Sequence, residues 1–133
     1  MGRKLPVTLS TVLVGVVLCV VWITWKSLHT SIGPSNSVST KEVADATMQI
    51  STNISEGHAL SASVSQVANQ EKNKYLQQVL FQIQNDVSTG YPLSVAMAKY
   101  PNVFNEQYVA AAKRGEKSGQ LDTELRQQAS KDE

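Results

Sequence analysis

The chain has 133 residues, enough for one modest domain, and its 12 basic and 11 acidic side chains leave a formal charge of +1. That near-balance excludes the strong global field expected of a nucleic-acid binder, and nucleic acid is not expected as a partner. The one cysteine, Cys19, excludes an intrachain disulfide and leaves the redox compartment unspecified.

In chain order, the first element is residues 5–25, 21 positions without a charge. At 1.5 Å rise per residue such a helix spans roughly 30 Å, the thickness of a bilayer's hydrocarbon core. About a dozen Val, Leu, Ile and Trp side chains outweigh Thr8, Ser10, Thr11 and Thr24 in the cost of insertion. Trp22, Trp25 and Lys26 then supply amphipathic rings and a cation at the far interface. Residues 1–26 are therefore expected to form a short tail and a single transmembrane helix. A cleaved signal peptide is the competing reading, since Arg3 and Lys4 precede the apolar run. That run is longer than the usual 7 to 15 residues of a signal peptide, and the best small-residue cleavage site, Ser31-Ile32-Gly33, is followed by Pro34.

Residues 27–40 hold five serines, two threonines, a glycine and a proline without hydrophobic periodicity, the composition of a flexible tether. Beyond it Ser39 and Glu42 are spaced as a capping box, and the expected domain occupies residues 41–133. Six stripes at helical spacing follow, with no stretch alternating at period two. They are Val43, Ala46, Ile50 and Ile54; Leu60, Val64, Val67 and Ala68; Leu76, Val79, Leu80, Ile83 and Val87. After these come Leu93, Met97 and Tyr100, ended by Pro101; Phe104, Tyr108, Ala111 and Ala112; and Leu121, Leu125 and Ala129. Gly57, Gly90 and Gly119 each follow a stripe where a left-handed residue closes a helix. The fold class implied is all-α: a transmembrane helix, a Ser-rich linker and a small antiparallel six-helix bundle.

The stretch Gly57-His58-Ala59-Leu60-Ser61-Ala62-Ser63-Val64 returns 33 residues later as Gly90-Tyr91-Pro92-Leu93-Ser94-Val95-Ala96-Met97. Tetratricopeptide and ankyrin arrays share that period, but they stack at least three units and neither consensus is present. The echo fits two halves of one bundle.

Residues 80–125 carry three ordered signatures: Gly90-Tyr91-Pro92-Leu93-Ser94, then Tyr100-Pro101 with Phe104 and Tyr108, then Gly115-Glu116-Lys117-Ser118-Gly119-Gln120-Leu121. In order and spacing they resemble the repeated domain of the type II secretion system protein F family, shared with the platform proteins of type IV pili. The resemblance covers roughly residues 43–133. It weakens upstream, where Ser51, Thr52, Asn53 and Ser55 replace the usual apolar residues. Full-length members have two such domains and three membrane helices; against that pattern the chain is expected to be a reduced paralogue, a remnant or a truncated frame.

The resemblance implies a non-enzymatic scaffold in a bacterial inner membrane, linking a cytoplasmic secretion ATPase to pilin-like subunits. It also implies association with copies of itself or with a full-length platform protein. The alternative is a membrane-tethered helical adaptor, or a remnant paralogue, with no secretion role. The structural motif residues are Gly90, Pro92, Leu93, Pro101, Phe104, Gly115, Gly119 and Leu121. The candidate partner contacts are Arg114, Glu116 and Lys117. Arg3, Lys4 and the amino terminus against Lys26 place the N-terminus in the cytoplasm by the positive-inside rule. The family implies the reverse, a cytoplasmic helical domain, and that orientation is the one expected here.

No catalytic or cofactor chemistry is expected. His29 and His58 are the only histidines and sit in unrelated segments. Gly115 to Gly119 lacks the preceding strand and the ending of a phosphate loop. Glu116, Asp122 and Glu124 cluster around Gly119 as oxygen ligands for a hard cation would, but such carboxylates are more often solvated or favour a helix N-terminus. For Glu116 the plain expectation is a cap or an ion pair with Lys113 or Arg126. Gly115, beside Ala110, Ala111 and Ala112, is expected to allow close helix packing.

Overall fold

A computed structural model describes residues 37–133. The membrane segment, most of the tether and Cys19 lie outside the described residues. Six helices and no strand are found in the described part: α1 (Thr40–Ser55), α2 (Leu60–Gln70), α3 (Lys74–Ser88), α4 (Leu93–Ala98), α5 (Glu106–Ser118) and α6 (Leu121–Ala129). None of these is long and apolar enough to cross a membrane.

The starts of the helices follow from local chemistry. At α1 the Ser39 hydroxyl accepts from the Glu42 amide at 3.2 Å, and the Glu42 carboxylate accepts from the Ser39 amide at 2.7 Å. This reciprocal box satisfies donors that a bare helix start leaves open. Asn73 and Asn105 cap α3 and α5 by one-way bonds, each side-chain oxygen accepting from two amides of the first turn. Asn73 also donates to Glu42 at 3.2 Å, which ties the start of α3 to the start of α1.

The polar run in α1 that departs from the family pattern stays helical because its hydroxyls bond back to the helix itself. Ser51 and Thr52 both donate to the Met48 carbonyl, at 2.7 and 2.9 Å, and Ser55 donates to that of Thr52. Ser51 is thereby buried without an unmet donor.

Each helix packs on the next, and α6 closes the ring by packing on α1. One core results, built from Val43, Ala46 and Ile50 of α1, Val64 and Val67 of α2, Leu76, Leu80 and Ile83 of α3, Leu93 and Met97 of α4, Tyr108 and Ala112 of α5 and Leu125 of α6. The six apolar stripes are the faces that meet there, with Ile54, Leu60, Val87 and Tyr100 only half-buried at its margin. Two boundaries differ from expectation. Tyr100 lies beyond the end of α4, and Phe104 precedes the cap of α5. The turn between them closes on itself, the amides of Val103 and Phe104 both donating to the Tyr100 carbonyl. Phe104 is buried all the same and meets Tyr108 edge-on, centroids 6.0 Å apart. The Tyr108 hydroxyl has no partner in good hydrogen-bond geometry; burial pushes its pKa up, and the nearby Asp132 carboxylate adds to the shift.

Candidate functional site

The first and third signatures meet at one junction of α4, α5 and α6. It begins with a weakness: α4 has only six residues, and Pro92 at its N-cap offers no side-chain acceptor. Proline presets the φ of −60° found there, with ψ at 146°, and Gly90 at φ 103° turns the chain into it. The first amides of α4 still need an acceptor from elsewhere.

Glu116 supplies it. One carboxylate oxygen accepts from the Ser94 amide at 2.9 Å and the other from the Ser94 hydroxyl at 2.7 Å. A carboxylate held at two points over a helix start satisfies open donors and sits at the favourable end of the helix dipole. Of the two expectations for Glu116, the structure has the cap and not the ion pair with Lys113 or Arg126: Glu116 caps α4, and Arg126 donates to Ser55 of α1 at 3.2 Å.

One residue earlier, Gly115 faces the other way. A Cβ there would lie 2.6 Å from the Leu121 Cα and 2.9 Å from its Cδ1, distances no real side chain occupies. Glycine is what lets the start of α6 lie against the end of α5. Gly119 makes the turn between them, ending α5 at φ 73° and ψ 13° with open space around it, so the left-handed backbone is its constraint. The Arg114 Nε donates to Glu124 at 2.8 Å and clips the two helices from outside. Half-exposed as it is, that pair contributes at most about 1 kcal/mol.

Of the three candidate contact residues, Arg114 and Glu116 are thus engaged within the domain, and Lys117 is exposed with no ion-pair partner among the described residues. The acidic trio is divided: Glu116 is turned to α4 and Glu124 to Arg114. Among the described residues no cluster of three His, Cys, Asp or Glu side chains stands ready to hold a metal ion. His58 is exposed, 3.9 Å from Glu56.

Sequence reasoning missed Ser94 as the donor to Glu116, because 22 residues separate them. A signal existed in retrospect: a short helix started by proline has to borrow its cap. It also missed Lys99, which donates to Asp86 at 2.8 Å and lies 5.3 Å from the Tyr91 ring centroid, bracing the turn that Gly90 makes.

The family model described as type II secretion system (T2SS), protein F matches residues 46–131, well over half of the chain. A search of curated proteins finds no match. The matched span holds all three signatures and every helix but the first turn and a half of α1.

Proposed function

Because the chain belongs to the type II secretion system protein F family, we propose that it is a non-enzymatic inner-membrane platform component of a type II secretion or type IV pilus machine. The family carries a general platform role in protein secretion. In the finer reading, residues 1–26 hold the chain in the membrane beside pilin-like subunits, and the helical domain meets the cytoplasmic ATPase or a full-length platform protein. The observation that supports the proposal is the family match over residues 46–131, within which the first and third signatures are joined where Glu116 caps α4.

Lys117 is the motif residue with its charge still available to such a partner. Arg114 and Glu116 share its helix but would have to leave Glu124 and Ser94 to serve one. Affinity purification of the tagged full chain from membranes is expected to recover a secretion ATPase or a full-length platform protein, and Lys117→Glu is expected to reduce that recovery while leaving the melting temperature unchanged. Charge reversal at a rim contact acts mainly on association. Recovery of neither partner from cells that make both, with normal secretion and piliation after deletion, would favour the membrane-tethered adaptor. Orientation is tested by fusions after Glu133. A fluorescent, phosphatase-inactive fusion is expected for a cytoplasmic domain, and the opposite pattern would overturn it.

A further inference from the structure

Three large apolar side chains are exposed among the described residues: Phe81 at 37%, Val95 at 43% and Tyr91 at 55%. Two of them share one surface of α4. Val95 and Lys99 are four residues apart and so lie on one helix face, and the Lys99 amine stands 5.3 Å from the Tyr91 ring centroid, which brings all three together. Ala98, also exposed, lines one groove with Lys113 of α5. Lys113 has no ion-pair partner among the described residues, and Lys117 follows it one turn later.

The backbone does not require such a surface. In the echoed segment the corresponding positions, 33 residues earlier, are His58, Ala62 and Gln66, exposed like their counterparts and without a large apolar side chain. The rim narrows what would cover Tyr91 and Val95. Asp86 already accepts from Lys99 at 2.8 Å, and Glu116 from the amide and hydroxyl of Ser94. Glu106 lines the groove as well, but two helical turns from Lys113. An aromatic ring and a valine beside unpaired lysines match the interfacial zone of a bilayer. Rings with a polar tip settle at headgroup depth, and lysine lays its stem along apolar surface while its amine meets phosphate. Residues 27–36 are ten positions, at most about 36 Å of chain, so the anchor proposed above keeps a bilayer within reach. Contact within one tethered assembly has a high effective concentration, which a patch this small needs. We propose that the α4 surface docks the helical domain onto an anionic lipid surface, with the Tyr91 ring and Val95 at headgroup depth and Lys113 and Lys117 on lipid phosphates. This rests on the membrane anchor of the proposed function, and not on either of its protein partners.

The test uses the full chain reconstituted in phosphatidylcholine bilayers with and without phosphatidylglycerol, the acyl chains brominated near the headgroup so that nearby indoles are quenched. The native Trp22 and Trp25 report the anchor. Their quenching is expected in both lipids, and its absence would remove the anchor and the docking together. With Trp22→Phe and Trp25→Phe as background, the indole of Tyr91→Trp reports the patch. It is expected to be quenched when phosphatidylglycerol is present and to recover at high salt, whereas the indole of His58→Trp, at the echoed position, is not quenched. Adding Lys113→Glu to the Tyr91→Trp chain is expected to lower the ratio of docked to free domain about tenfold, read as lost quenching at an unchanged melting temperature. Lys117 is left unaltered throughout, so that contact with a protein partner is tested apart. Quenched native tryptophans with no quenching at Tyr91→Trp would overturn the docking and leave the anchor standing. Equal quenching at the two echoed positions, or quenching indifferent to salt and to Lys113→Glu, would overturn it as well. A blue-shifted emission from Tyr91→Trp that bromine leaves untouched would put the patch against protein, and the proposal would fall.

Discussion

The two echoed segments, residues 57–64 and 90–97, have nearly the same backbone and are held in different ways. Each opens on a glycine in the left-handed region, φ 95° at Gly57 and 103° at Gly90. The N-cap residue of each, Ala59 or Pro92, has φ −60° and ψ 146°. Neither N-cap offers a side-chain acceptor. Yet α2 runs 11 residues and receives no side-chain cap from the described residues, while α4 runs six and is bound at Ser94 by Glu116. Helix formation is cooperative, so three turns packed along one face can hold themselves where fewer than two turns cannot. The lesson is that the repeated segment specifies a turn and a helix start, and the surrounding helices decide whether that start needs support.

The most damaging way to break the second segment's support is at Gly115. Replacing it by valine forces the backbone of Leu121 away and disturbs the helix that carries Glu116, so a loss of about 3 kcal/mol, the upper end for overpacking, is expected in denaturant unfolding. A loss below about 1 kcal/mol would mean that α5 and α6 part easily and that the close approach matters little.

Removing the carboxylate itself separates the two segments more cleanly. Glu116→Ala leaves the Ser94 amide and hydroxyl without their acceptor and is expected to cost about 1 to 2 kcal/mol, the range for a lost helix cap. Hydrogen exchange should then quicken at Ser94 to Met97 and stay unchanged at Leu60 to Val64. Equal quickening in both segments would show that α2 leans on the same junction. Charge reversal at Glu116 would for the same reason report on α4 as well as on any partner, which makes Lys117 the better probe of binding.

The glycines provide the control in which the two segments should behave alike. A Cβ at Gly57 or Gly90 meets no other atom, so Gly57→Ala and Gly90→Ala should each cost only the left-handed backbone penalty, about 1 kcal/mol. A markedly larger cost at Gly90, seen as a lower melting temperature, would show that the brace from Lys99 and Asp86 depends on the local backbone.

The helical stripes and turn glycines were legible because both signals are local: periodicity names the buried face, and an αL position names glycine. The capping box at Ser39 and Glu42 was legible for the same reason. The family signatures could be read as a pattern, but not as a junction. Gly115 was legible as a site of close helix packing, but its partner Leu121, like the meeting of Ser94 with Glu116, depends on how α4 and α6 lie against α5. No spacing within the chain encodes that. The hydroxyl-rich stretch of α1 departs from the family pattern, yet its helix was legible from the stripe Val43, Ala46, Ile50 and Ile54; the bonds of its hydroxyls to the Met48 and Thr52 carbonyls were not.

The smallest expected effect lies at α1. The amide of Ser39, with the Asn73 side chain and the Ser39 hydroxyl, holds the Glu42 carboxyl below its ordinary range. A depressed folded-state pKa adds stability that is complete above the unfolded value of 4.5 and fades as pH falls through the folded one. Stability measured between neutral pH and pH 3 should therefore decline less steeply in Glu42→Gln than in the parent. Parallel curves would remove Glu42 from the acid response.

The packing of α6 on α1 also sets a schedule for synthesis. The hydrogen bond from Arg126 to Ser55 spans 71 residues, and the core cannot close until Leu125 and Ala129 have left the ribosome. At about 5 to 20 residues per second, α1 would wait several seconds for its last neighbour, and loop closure over that length is itself unfavourable. Through that interval Ile50 and Val43 have no α6 to cover them. The nascent chain is at its most vulnerable to proteases and to mispairing in the seconds before its C-terminal helix emerges.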